Sequence, residues 1–63
     1  MDHAEFNKAI NWSPSCFKLQ GDWTFHDFYG KQWPGFFKSK QAAEEMGQRH
    51  IEAVLQRMKE DER

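Results

Sequence analysis

The sequence predicts an α+β fold, a three-stranded antiparallel meander packed on one C-terminal amphipathic helix. Three observations carry it. Apolar residues recur at three-to-four spacing through 39–60, strand-forming residues dominate 15–38, and glycine-bearing turns divide that stretch. The organisation is a single small domain over 1–63, with an N-terminal segment (1–14), a sheet (15–38) and a helix (39–60).

The helix is the clearest element. Ser39 is placed to cap its first turn, and Glu44 and Glu45 sit early, where the dipole favours negative charge. Ala43, Met46, Gly47, His50, Ile51, Val54, Leu55 and Met58 form one apolar stripe. Glycine in mid-helix costs about 1 kcal/mol relative to alanine. Gly47 lies on the stripe, so a ring or a strand backbone is expected to come close there.

In the sheet region, Phe17 and Leu19 alternate with Cys16, Lys18 and Gln20. Gln20-Gly21-Asp22 reads as a tight turn, because glycine accepts the positive φ that hairpins need. The run from Trp23 to Tyr29 places Trp23, Phe25, Asp27 and Tyr29 on one face and Thr24, His26 and Phe28 on the other. Gly30-Lys31-Gln32 makes a second turn, and Trp33–Phe37 a third strand whose Pro34 suggests an edge or a first position. Phe17, Leu19, Trp23, Phe25 and one of Phe36 or Phe37 form the expected sheet side of the core. Residues 1–14 suggest a short helix over about 3–10, capped by Asp2 with Phe6 and Ile10 on one face; a loose strand is the alternative.

Size limits what this chain does. At 63 residues it hides only about 60% of the surface its unfolded form exposes. Cys16 is its one cysteine, which excludes an internal disulfide and suits a reducing, cytoplasmic setting. No stretch approaches membrane-spanning length. All ten aromatics fall in the first 37 residues, more than a thin core readily hides. One helix covers one face of a sheet. Either the N-terminal segment folds over the second face, or that face meets a partner.

Catalysis is the weaker reading: Cys16, His26, Asp22 and Asp27 supply a nucleophile, base and orienter on paper, but a shallow fold offers little water-excluded depth. His3, His26, His50 and Cys16 lack metal-ligand spacing, and no glycine-rich phosphate loop or cofactor motif is present. A packed, hydrogen-bonded histidine is the simpler reading of His50. The acidic end Glu60-Asp61-Glu62 reads as a solvated helix terminus.

Gly21-Asp22-Trp23-Thr24-Phe25, followed by a turn and Gly35-Phe36-Phe37-Lys38-Ser39-Lys40-Gln41-Ala42-Ala43-Glu44, resembles the three-strand-plus-helix DNA-binding domains of tyrosine-integrase N-termini and plant ethylene-response factors. The resemblance covers about 40 residues and rests on motifs general to small meander-plus-helix domains. It implies major-groove reading from the exposed sheet face, here through Lys18, Gln20, Trp23 and Lys31. The chain departs from that family in having no arginine before Arg49, and nine basic residues against ten acidic ones form no basic stripe. Both features disfavour nucleic acid, since phosphate neutralisation and Arg or Lys forks to guanine carry most such binding.

The leading expectation is therefore a non-enzymatic protein-interaction module. Its anchors would be Phe28, Trp33 and Phe36, with His26 and Lys18 beside them, and its partner another protein or a second copy in a homodimer. By analogy with small acidic proteins of phages and mobile elements, it would be an inhibitor docking on a host or defence complex.

Overall fold

The computed structural model describes residues 3–60. The chain is α+β: α1 (His3–Ile10), a hairpin of β1 (Cys16–Leu19) and β2 (Asp22–Phe25), and α2 (Lys40–Glu60). The Asp2 cap, Asp61 and Glu62 lie outside the described residues.

α2 is the spine. Ser39 starts it as expected: its Oγ accepts from Ala42 N–H at 3.2 Å, and its carbonyl accepts from Ala43 N–H at 3.2 Å. Every residue of the apolar stripe is buried or half-buried. Glu44 and Glu45 fall one turn later than the dipole argument requires, and the first turn carries no acid. Contacts change in character along the helix. Lys40 and Glu44 flank Cys16 of β1. Gly47 meets the loop after α1, and Ile51 and Val54 pack with Ala9 and Phe28 into the buried cluster, edged by Trp12, Leu55 and Met58.

α1 forms where the spacing placed it, but it buries Ala9 rather than Ile10, which is 54% exposed. It packs on α2 alone and touches neither strand. α1 therefore lies beside Phe28 and away from the hairpin.

The hairpin corrects a second expectation. Gln20 (φ 54°) and Gly21 (φ 90°) both adopt left-handed backbone, a two-residue turn that sets Leu19 opposite Asp22. Cys16 then faces Phe25, and Phe17 faces Thr24. Shifting a register by one residue exchanges the two faces of a strand. Cys16 and Phe25 consequently share the side toward α2, while Phe17 and Leu19 turn outward, Leu19 to 39% exposure. Phe17 and Leu19 are not core partners of Trp23 and Phe25.

The expected third strand is not formed; the sheet has two strands. The returning segment pairs with β2 only through isolated bridges, Trp23 with Phe37 and His26 with Gln32. Trp33 N–H donates to Phe25 O at 2.8 Å, and Trp23 and Phe37 exchange both backbone bonds at 2.8 Å. Between those anchor points, Pro34, Gly35 and Phe36 all stand opposite Thr24, a bulge that breaks the ladder. Pro34 has no N–H to give. The fully buried Thr24 supplies the missing donor: its Oγ1 lies 3.1 Å from Gly35 O and 3.5 Å from Trp33 O.

Candidate functional site

Of the sequence-selected anchors, Phe28 is the clearest correction. It is 8% exposed, in the cluster with Ala9, Ile51 and Val54. Strand periodicity assigned it to an outward face, but the strand ends at Phe25 and Phe28 sits in a turn. Asp27 builds that turn. Its carboxylate accepts from Tyr29 N–H and Lys31 N–H, both at 2.9 Å, and Gly30 (φ 87°) closes it. The side chain above this turn is Tyr29, 60% exposed, which sequence reasoning did not single out for binding.

His50 ties the turn to α2. Its Nε2 accepts the Phe28 backbone N–H at 3.0 Å, which fixes the ring as an acceptor at that nitrogen. Three rings meet it edge-on: Trp33 at 5.3 Å between centroids, Trp12 at 5.8 Å and Tyr29 at 6.3 Å. Histidine suits this place because it carries a ring for the aromatics and a lone pair for an otherwise orphaned amide. Trp33 is half-buried, stacked on Phe25 at 5.0 Å, so it rims the helix side and is not a free anchor.

The other side of the hairpin carries no helix. Phe17 and His26 stack there at 5.1 Å with rings 26° apart; Phe17 is half-buried and His26 exposed. Leu19 lies on the same face. The bulge reaches this face where the Thr24 hydroxyl meets Gly35 O at 3.1 Å, and the neighbouring Phe36 of the bulge is 52% exposed. Among the described residues no helix covers Phe17, His26 and Leu19, while the bulge closes over the fully buried Thr24 between the strands' outward side chains.

The remaining candidates are dispersed. Lys18 pairs across the strands with Trp23 on the face toward α2, its Nζ 5.8 Å from the indole centroid. Gln20 occupies the turn before β2 and Lys31 the turn after it. The structure does not gather Lys18, Gln20, Trp23 and Lys31 on one face. Cys16 and His26 also lie on opposite faces, which separates the paper nucleophile from its base. No cleft or cavity opens among the described residues, and no three of their His, Cys, Asp or Glu side chains converge as a metal site would need.

Burial pushes the Cys16 thiol above its ordinary pKa, Glu44 raises it further, and Lys40 partly opposes both. The thiolate is the reactive form, so alkylation by iodoacetamide at pH 8 is expected to be slower in the native chain than in guanidinium. Glu44→Gln should speed the native reaction and Lys40→Gln slow it. The sign for stability follows from the raised value. The contribution is complete below the unfolded thiol's pKa and is lost as pH rises through the folded one. A native rate equal to or above the unfolded rate would contradict this environment.

No helix among the described residues is long and apolar enough to cross a membrane. Compared with known proteins, the chain matches no protein-family model, no curated protein and no solved structure.

Proposed function

We propose that this chain is a protein-interaction module that docks through the outer face of its hairpin, with Phe17, Leu19, His26 and Phe36 as the contact residues. One observation carries the reading: α2 packs on the Cys16–Phe25 side and α1 touches only α2, so no helix covers Phe17, His26 and Leu19, and only the bulge over Thr24 reaches their face. Exposed aromatic clusters are the usual core of protein interfaces. The absence of a cleft among the described residues favours a flat macromolecular surface over a small-molecule site. An inhibitory role on a larger complex is one form this module would take.

The test places a photo-crosslinking phenylalanine analogue at position 36 and, as control, at the exposed Glu52 of α2. In a lysate of the source organism, position 36 should capture one protein at high and low salt, and position 52 should not. Phe17→Ala should reduce that capture at least tenfold while leaving the fold intact. Equal capture from both positions, or capture insensitive to Phe17→Ala, contradicts the proposal. Adducts formed only with nucleic acid and lost steeply as salt rises would indicate phosphate-driven binding instead.

A further inference from the structure

The free edge of β1 carries a distinct inference, independent of the outer-face proposal. Trp23 turns its N–H and C=O toward Phe37, and Phe25 turns its C=O toward Trp33. In an antiparallel pair, residues facing each other at such a site do not bond to one another. Their partners across the hairpin, Lys18 and Cys16, therefore aim their own N–H and C=O away from β2. No backbone partner meets these groups among the described residues, and α1 does not approach the strand. Natural proteins usually guard such an edge with charge, a bulge or a covering element. Here the one charge on the strand is Lys18, whose ammonium leans over the Trp23 ring, 5.8 Å from its centroid, on the face toward α2.

We infer that this edge pairs with the same edge of a second copy, in one register. Centring the two-fold on Cys16 would set Lys18 opposite Pro14, which has no N–H. Centring it on Lys18 would oppose two like charges and set Cys16 against Gln20, whose backbone is left-handed at φ 54°. Centring it on Phe17 pairs Cys16 with Lys18 of the second copy and Lys18 with its Cys16, and both pairs exchange both bonds. Phe17 then meets its own copy across the axis as a close, non-bonded pair, and the hairpins join into one continuous sheet. Two short strands give a small interface, so the Kd belongs at about 0.1–1 mM.

Two measurements test it. Light scattering at about 2 mM protein, above that Kd, should give a mass approaching twice 7.6 kDa. Lys18→Pro, which removes an N–H the single chain does not use, should return it to monomer. In the second, Phe17→Cys in a Cys16→Ser background should form a covalent dimer in mild oxidant at least tenfold faster than Lys18→Cys or Leu19→Cys, because only the cross-axis pair lies within disulfide reach. A wild-type monomer at 2 mM, a dimer indifferent to Lys18→Pro, or faster cross-linking from position 18 or 19 overturns the inference. None of these outcomes bears on capture of a foreign protein from position 36, so the two proposals fail separately.

Discussion

Phe28→Ala is expected to unfold the chain, whereas Phe36→Ala should leave its stability nearly unchanged. Both are phenylalanines of the same aromatic-rich stretch, and their surroundings decide the difference. Phe28 packs among Ala9, Ile51 and Val54 and meets Tyr29 edge-on at 5.4 Å. Lys8 Nζ stands 5.9 Å from its ring. Removing such a ring typically costs about 3–5 kcal/mol through lost transfer energy and the cavity left behind. A single core of this size seldom supplies more than about 3–5 kcal/mol in total, so the loss consumes the margin. Phe36 is 52% exposed, and surface substitutions of this kind usually fall within about 0.5 kcal/mol. Guanidinium denaturation followed by far-UV circular dichroism separates the two. Equal losses in both variants would place Phe36 in the core and remove the proposed contact surface.

The second large effect reverses an ordinary rule. Gly→Ala in mid-helix normally gains about 1 kcal/mol. At Gly47 it is expected to lose about 1–2 kcal/mol, because overpacking typically costs about 1–3 kcal/mol. An added Cβ would stand 2.7 Å from Pro14 Cγ and closer still to Pro14 Cβ. The obstacle is a pyrrolidine ring, which has no alternative rotamer to retreat into. Pro14→Gly removes both ring carbons that the added methyl meets, the nearer Cβ and the Cγ at 2.7 Å. The Gly47→Ala change should therefore cost less in the Pro14→Gly background than alone, a coupling that a double-mutant cycle reads directly. A Gly47→Ala chain more stable than its parent would show that the loop does not lie on α2.

How far the sequence reveals this molecule depends on whether a residue's fate is set locally. The α2 stripe was legible because a 3.6-residue period is enforced over 21 residues, and the whole stripe is buried or half-buried. Gly47 announced a close approach, but not that Pro14, far away in the chain, makes it. The hairpin was legible as a hairpin and illegible in its facing. A turn through Gln20 and Gly21 alone, rather than through Asp22 as well, changes which residues oppose each other and sends Phe17 outward. The third strand failed on Pro34 and Gly35, where the ladder gives way to the Thr24 hydroxyl. Phe28 was misplaced because alternation was carried past the end of β2 into a turn held by the Asp27 carboxylate. His50 was legible as a packed residue of the stripe. Its partner was not, because nothing in sequence marks a backbone N–H 22 residues away.

The same limits shaped the reading of the site. An excess of aromatics over core volume was visible in composition, and it predicted surface without saying where. The structure divides the aromatics between a helix-side group around His50 and an outer group around Phe17. Trp33 belongs to the first, and Phe36 stands exposed on the bulge that reaches Thr24. That division follows from the two-residue turn and the bulge.

The central claim is that both helices lie on one side of the hairpin and leave the Phe17 face open. Nuclear Overhauser contacts in the isotope-labelled chain, at a concentration low enough to be monomeric, test it most directly. The account predicts contacts from the Ala9 methyl to Ile51 and Val54, contacts between the Phe17 and His26 rings, and none from α1 to Phe17 or Leu19. Contacts from Phe6 or Ala9 to the Phe17 ring would place α1 over the outer face and contradict it.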